Sequence, residues 1–257
     1  TSPFAFTGNK FEFRMLGSMA SVADPNIVLN TIAAEAFSEA VNALSDAKDF
    51  SKACKSYTEK LLKEHHRIIF NYNGYGPDWE PEAERRGLLN NKNTADAVPE
   101  FFKRENIDVF VRQGVYTEKE VIARANIQLE TYVKVINVEA LTMAEMAKQD
   151  IYPCVNGYIA EVCSVVGAKR AISDRAVCNY DVSLIEQLSR MNDAMMEAVK
   201  KLERDLSEMP AGEEASAQKM AHVIVPDMDE VRRLADGMEK LCSADYWPYP
   251  TYTDLLY

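Results

Sequence analysis

Three charged side chains near the N-terminus, Lys10, Glu12 and Arg14, have the types and the spacing to bind a metal ion together with an anion. In an extended strand, successive side chains point to opposite faces, so these three share one face while Phe11 and Phe13 lie on the other. A carboxylate can bind a divalent cation, and flanking cations can neutralise phosphate or carboxylate oxygens. An exposed strand face with cross-strand ion pairs has the same alternation, and on alternation alone it is the favoured interpretation.

The elements around these residues must position them. Residues 1–16 alternate as two short antiparallel strands with a break at residues 7–9. A two-stranded ribbon is not stable alone, so we expect a larger sheet outside this sequence to support it. Asp24 and Pro25 then indicate the start of a helix, with Asp24 as N-cap and Pro25 at the first helical position. That helix has one apolar face, which we expect to pack against the sheet.

Most of the remaining chain has the pattern of helices. The clearest start signal is a capping box formed by Thr117 and Glu120. Apolar residues then recur three or four apart over residues 122–162, close to the helical period of roughly 3.6 residues. This spacing predicts one very long helix, kinked at Pro153 and ending near Gly167.

Two heptad seams follow, over residues 185–209 and 217–242, and Asn192 is the polar member of the first seam. The short break at residues 210–212 predicts an antiparallel helical hairpin, with Pro226 as a kink or a break in its second arm. A seam within one subunit and a seam between subunits have the same spacing. The sequence therefore leaves both arrangements open.

We predict four segments and a mainly α-helical chain with a short antiparallel β segment at its N-terminus. The segments are a strand-and-helix region at 1–45, a helical region with the long kinked helix at 46–180, the helical hairpin at 181–242, and an aromatic tail at 243–257. The tail is too rich in proline for a helix and too apolar to remain in water, so it is expected to dock on its own subunit or on a neighbour. Docking on its own subunit is the favoured alternative.

Composition excludes several classes of partner. The 257 residues include 40 Asp and Glu against 29 Lys and Arg, a formal charge of -11, which repels nucleic acid and acidic membranes. No apolar run reaches the roughly 18 residues that span a bilayer. The five cysteines are scattered without a Cys-x-x-Cys pair, so we expect neither a disulfide framework nor a zinc site. We therefore expect the protein in a reducing, cytoplasmic location. The start at Thr1, without Met, leads us to expect a piece of a longer chain.

The strand at residues 10–14 resembles a strand of the form basic-x-Glu-x-Arg late in the catalytic domain of glutamine synthetases. In that family the strand is followed by a proline-containing turn and a helix, as in Asp24-Pro25-Asn26 and the residues after it. Several separated stretches resemble the large type III members of bacteria and some protists, namely residues 1–14, 67–71, 136–143 and 247–252. The resemblance extends over essentially the whole chain.

The resemblance implies that residues 1–45 are the end of an α+β catalytic domain. It implies ATP-dependent condensation of glutamate with ammonia through γ-glutamyl phosphate, at a site between subunits with Mg²⁺ or Mn²⁺. Glu12 would be a ligand of the metal that bridges the nucleotide phosphates, Arg14 would face glutamate and the transferring phosphoryl group, and Lys10 would lie near the ATP phosphates. It also implies a double-ringed homo-oligomer, a dodecamer.

Two features qualify this interpretation. The family's other metal ligands, its glutamate-binding loop and its small β-domain have no counterpart in these residues, so the chain is expected to be the C-terminal part of a subunit and to form one wall of the active site. In addition, Lys10 stands where many relatives have Arg, which keeps the charge but loses the bidentate fork. The alternative function is a helical assembly or interaction module without catalytic activity of its own. Residues 46–257 can serve assembly in either case.

Overall fold

The computed structural model describes residues 4–6, 8–13, 21–70, 76–250 and 254–256. Over these residues the protein is mainly α-helical, as predicted. By its contacts the chain divides into two compact units, which we call the first unit (1–92 and 99–125) and the second unit (93–98 and 126–257). The division into four segments made from the sequence stays a prediction.

The regular structure of the described residues comprises two short strands, ten α-helices, two π-helical turns and two short 3-10 helices, His66–Ile68 and Val98–Phe102. Strand β1 (Phe4–Phe6) pairs antiparallel with β2 (Phe11–Phe13), so that Ala5 lies opposite Glu12. The helices are α1 (Ala23–Leu44), α2 (Phe50–Glu64), α3 (Trp79–Arg85), α4 (Thr94–Ala97), α5 (Arg104–Arg112), α6 (Glu118–Met146), α7 (Tyr152–Ile172), α8 (Asn179–Ser207), α9 (Glu213–Lys219) and α10 (Val225–Glu239).

Helix α1 begins slightly earlier than the sequence signal suggested. Its first residue is Ala23, preceded by Val22 at the N-cap position, so the prediction of Asp24 as N-cap is wrong. Asp24 lies instead in the first turn, where a carboxylate interacts favourably with the positive end of the helix dipole. Pro25 also lies in this turn, where a missing N–H removes no hydrogen bond within the helix.

The capping box at the start of α6 is confirmed. The backbone N–H and the hydroxyl of Thr117 both donate to the Glu120 carboxylate, each over 2.8 Å, and the Glu120 N–H donates to the Thr117 hydroxyl over 3.4 Å. The first of these hydrogen bonds is the main reason that the pKa of Glu120 lies below its usual range. The start of α6 is therefore fixed at a defined residue.

Replacing Thr117 with alanine should lower the free energy of unfolding by about 1 kcal/mol, because the first turn of α6 loses its side-chain cap. Urea unfolding followed by circular dichroism measures this difference. Thr131→Ala, at an exposed position inside α6, is the matched control and should not destabilise the protein. Equal losses in the two variants would contradict a capping role.

Helices α6 and α7 form one continuous helix across residues 118–172, joined by a π-helical turn at Ala147–Ile151. The turn ends two residues before Pro153, which has no N–H to donate and would clash with the preceding α turn. A π turn carries one extra residue and resolves that conflict without ending the helix. The predicted end at Gly167 is wrong, since the helix continues to Ile172.

Helix α8 packs antiparallel against α10 as a helical hairpin. Met191 and Lys201 of α8 lie against Gly237 and Asp227, so the order of contacts is reversed along the second arm, as antiparallel packing requires. A second π turn, Met220–Ile224, precedes Pro226, and the second arm therefore continues from α9 into α10 without a break.

The hairpin packs with α6 and α7 around the core of the second unit, and the positions predicted for the two seams largely line it. Its buried members are Ala140, Ala144, Ala147, Ile151, Val155, Val162, Leu184, Leu188, Met195, Val199, Leu202, Met220, Ile224, Val231, Leu234, Ala235 and Met238.

Asn192, the polar member of the first seam, is 1% exposed. Its side-chain amide donates to the backbone carbonyl of Tyr152 over 3.2 Å and to the side-chain oxygen of Asn156 over 3.3 Å. Both partners belong to α7. The buried polar residue therefore fixes the register of α8 against α7 and not that of the two hairpin arms, because its hydrogen bonds exist in one register only.

The aromatic tail docks on its own chain, as favoured from the sequence, at Trp247 and Tyr249, which pack against the core of the second unit. The Tyr249 hydroxyl donates a hydrogen bond to the carboxylate of Asp150. Burial, followed by the hydrogen bond to Asp150 and then by the negative charge of that carboxylate, raises the pKa of Tyr249 to about 12. The phenol is thus held neutral and in place over a wide range of pH.

Among the described residues, one helix, residues 118–172, is long and apolar enough to cross a membrane by length and composition. The core helix of a protein that never meets a bilayer satisfies the same two criteria. The expectation that the protein binds no membrane stays a prediction.

Candidate functional site

The strand predicted to carry chemistry, β2, places Lys10 and Glu12 side by side. The Lys10 ammonium lies 3.6 Å from a carboxylate oxygen of Glu12, and the two side chains are 67% and 37% exposed. An ion pair this exposed contributes little to stability. Its two charges are, however, accessible to a ligand. Arg14 falls outside the described residues, and its place on the same face stays a prediction.

The core of the first unit supports α1, the helix that follows the strand in sequence. Ile107, Phe110 and Val121 are buried at its centre, and Ile27 and Val28 of α1 pack against them. The apolar face predicted for α1 is thus covered in part by α5 and the start of α6.

A polar contact between α1 and the end of α5 adds to this packing. Arg112 donates two hydrogen bonds to one carboxylate oxygen of Glu35, over 2.8 and 2.5 Å, and Gln113 donates to the other oxygen over 2.6 Å. The hydrogen bond from Arg112 is the largest of the causes that hold the pKa of Glu35 below its usual range. The contact joins residues 77 positions apart, and no local signal in the sequence indicates it.

Glu12 is the residue that we predicted from the sequence to bind a metal ion. Glu12 has the carboxylate oxygens that Mg²⁺ and Mn²⁺ prefer, and it is only half-buried. Within the described part of the chain, no group of three or more His, Cys, Asp and Glu residues is placed to hold a metal ion. Glu12 therefore has the chemistry of a single metal ligand, and its metal-binding role stays a prediction.

A half-open cavity of about 600 Å³ lies in the second unit, between α6, the π turn that follows it, α10 and the tail. Its walls are mostly apolar and include Met143, Met146, Met228 and Trp247. Glu139, Arg232, Asp236 and Glu239 lie at its polar edge. Sequence reasoning missed this cavity, because methionines at helical spacing are expected to fill a core and here they also border an opening.

Two polar clusters of the second unit were also not predicted. His222 lies 2.9 Å from a carboxylate oxygen of Asp96, and this contact is the main reason that the pKa of Asp96 is lowered. Lys201 bridges Asp205 and the buried Asp227, and its hydrogen bond lowers the pKa of Asp205. Both clusters join separate helices, so we interpret them as structural contacts.

Comparison with known proteins gives a consistent result. Residues 53–170, from α2 to α7, match the glutamine synthetase C-terminal domain. The whole chain is similar to a glutamine synthetase of Butyrivibrio fibrisolvens, with 34% identity, and to the type-3 glutamine synthetase of Dictyostelium discoideum, with 31% identity. It is also similar to a glutamine synthetase of Bacteroides fragilis, with 27% identity.

In each comparison the match includes 100% of this chain but only 36% to 37% of the relative. The chain thus spans little more than a third of the length of these relatives. The resemblance found in the sequence is confirmed: the chain is similar over its whole length to glutamine synthetases, and residues 53–170 match the glutamine synthetase C-terminal domain.

Proposed function

We propose that this chain is the C-terminal part of a glutamine synthetase subunit that ligates glutamate and ammonia at the expense of ATP, by way of γ-glutamyl phosphate. One observation carries the proposal. The ammonium of Lys10, directly before β2, lies 3.6 Å from the carboxylate of Glu12 in β2, in a chain that is similar over its whole length to proteins named glutamine synthetase. The enzyme would serve nitrogen metabolism in the cytoplasm.

The three charged residues would divide the work of phosphoryl transfer. This chemistry is catalysed chiefly by positioning and by charges placed where negative charge develops. Lys10 would lie near the ATP phosphates and neutralise part of their charge. Arg14 would hold the glutamate carboxylate and the transferring phosphoryl group with its planar fork of donors.

Glu12 would hold one metal ion, Mg²⁺ or Mn²⁺, which when bound neutralises phosphate charge and orients the nucleotide. The proximity of Lys10 to Glu12 supports this role, because a carboxylate that binds a cation and an ammonium that binds an anion then lie at the same site. The acidic character of the chain does not oppose anion binding here, since the site is defined by local charges and not by the net charge.

The assembly that we propose is a homo-oligomer, a double-ringed dodecamer, with active sites between subunits. The support is the likeness to type-3 and other glutamine synthetases. A chain that forms only one wall of a site requires the rest of its subunit and a neighbour to complete it.

Replacing Glu12 with glutamine in the complete subunit tests the proposal. The amide keeps the size of the side chain and removes its charge. We expect the Mg²⁺ concentration that gives half-maximal ATP-, glutamate- and ammonia-dependent phosphate release to rise by at least about 10- to 100-fold, the range found when groups that merely support a metal ligand are lost.

The control variant is Glu186→Gln, at an exposed position of α8, which should leave the Mg²⁺ dependence unchanged. Equal Mg²⁺ dependence in wild type and Glu12→Gln would refute the metal role of Glu12. A complete subunit without any such activity would favour the helical assembly module instead.

A further inference from the structure

One face of α6 has an apolar centre although it points to solvent. Val138 and Leu141 are 62% and 52% exposed, and Val135 lies beside them and is also exposed. We propose that this face packs antiparallel against the same face of a second copy of the chain, across a two-fold axis. This inference deepens the proposed homo-oligomer, on which it rests, by naming one of its contacts.

The spacing on this face is that of a second seam. Lys134, Val138, Leu141 and Glu145 are all exposed and lie four, three and four residues apart. This is the heptad spacing with which one helix packs along another. The buried residues of α6 that face the core of the second unit form a separate stripe, which includes Ala140 and Ala144. Helix α6 thus has one seam for its own core and another that the described part of the chain leaves exposed, with Val138 at the edge of the half-open cavity.

In one orientation, the charges of this exposed seam are complementary to those of the same seam on a second copy. If the two-fold axis passes between residues 139 and 140, Val138 of one copy meets Leu141 of the other, and Lys134 meets Glu145. Glu130 comes within one residue of Lys148 in the same alignment. Each of these contacts occurs twice, as an interface between identical surfaces requires.

The parallel orientation is disfavoured by the same residues. It would place Lys134 against Lys134 and Glu145 against Glu145, and like charges in close contact are destabilising. The apolar pair alone does not distinguish the two orientations. The pattern of charges therefore selects the antiparallel one.

The ion pairs already present on this face do not oppose the contact. Lys134 lies 2.6 Å from Glu130, and Lys148 lies 2.5 Å from Glu203. Both pairs are strongly exposed, and exposed pairs of this kind contribute about 0–1 kcal/mol. In the antiparallel contact these groups would join a network across the axis, so little is lost when they rearrange.

A bilayer suits this face less well than a second copy. The apolar part lies between Lys134 and Glu145, a distance of about 16 Å at roughly 1.5 Å per residue. The apolar interior of a bilayer is about 30 Å thick. A face that is bounded so closely by charges of both signs fits a protein partner with the opposite arrangement of charges.

Charge reversal in the complete subunit tests the contact. We expect Lys134→Glu and Glu145→Lys each to weaken association between copies by at least tenfold in sedimentation velocity, because each places two like charges across the axis. The double variant with both changes should restore assembly, because the pair is re-formed in the opposite sense. Lys200→Glu, at an exposed position of α8, is the control and should leave assembly unchanged.

The outcomes separate this inference from the proposed function. A monomeric wild-type subunit would refute the proposed assembly as a whole. An assembled wild type that neither single reversal weakens, or a double variant that fails to reassemble, would overturn this contact alone. Sedimentation of wild type with phosphatidylcholine vesicles, abolished by Leu141→Glu, would mean that a bilayer and not a second copy covers the face.

Cross-linking gives a second measurement that does not depend on weakening the assembly. With Val138→Cys and Leu141→Cys in one chain, mild oxidation should join two chains by disulfides. Either single variant should give no more cross-linked dimer than wild type, which carries the five native cysteines. A 1:1 mixture of the two single variants, assembled together, should cross-link again. Cross-linking of Val138→Cys alone, without the mixture, would overturn the alignment.

Discussion

Replacing Arg14 with alanine in the complete subunit should lower kcat by about 10²- to 10³-fold, or about 2–4 kcal/mol of transition-state stabilisation. The proposed role of Arg14 is to meet the charge that develops on the phosphoryl group and on glutamate. Donors fixed in advance around such charge are costly to remove, because water cannot replace them in the same geometry. The rate of phosphate release at saturating ATP, glutamate and ammonia measures the effect.

Two further variants make the result specific to Arg14. Arg14→Lys keeps the positive charge and loses the planar fork, so its rate should fall between those of wild type and Arg14→Ala. Arg190→Ala, at an exposed position of α8, should have the wild-type rate. If Arg14→Ala retained a wild-type kcat, the residue would have no place in the chemistry.

Replacing Leu202 with alanine should lower the free energy of unfolding of the second unit by about 2–5 kcal/mol, because it leaves a cavity in a packed core. Leu202 is 0% exposed and lies where α8 packs against the second arm of the hairpin. The fluorescence of Trp247, which packs on the same core, reports this unit when Trp79 is replaced by phenylalanine. Unfolding in guanidinium chloride gives the free energy.

Two other substitutions test whether the cavity in the core causes the loss of stability. Leu202→Met nearly conserves the volume and should cost less than about 1.5 kcal/mol. Leu62→Ala removes the same atoms from an exposed position of α2 and should leave the unfolding of the second unit unchanged. A similar small loss in all three variants would mean that Leu202 is not part of a tightly packed core.

Much of the helical structure could be predicted from the sequence because its signals are local. The capping box of Thr117 and Glu120 fixes the start of α6 within four residues of chain. The heptad seam places Leu188, Met195 and Leu202 on one face of α8, and all are buried. Signals of this kind need no knowledge of the rest of the fold.

The remaining features depend on partners far away in the sequence. Gly167 has a low helix propensity, but the helix continues through it because packing outweighs a cost of about 1 kcal/mol. The hydrogen bonds of Asn192 to α7 and the contact of Glu35 with Arg112 join distant residues, which periodicity cannot pair. For the site, the alternation of charges predicted that Lys10 and Glu12 share one face. The roles proposed for them in binding ATP and metal came from the resemblance alone.

The two π turns have a consequence for how this chain can change. Each turn contains one residue more than an α turn, and each ends two residues before a proline, Pro153 or Pro226. Deleting the extra residue would leave the proline in clash with an α turn, whereas replacing the proline would leave the extra residue in place. In either case the helix beyond would be strained or turned relative to its neighbours. The extra residue of the π turn and the proline are therefore tolerated together, whereas the loss of either one alone should destabilise the helix. Substitutions and deletions at these positions should be strongly epistatic.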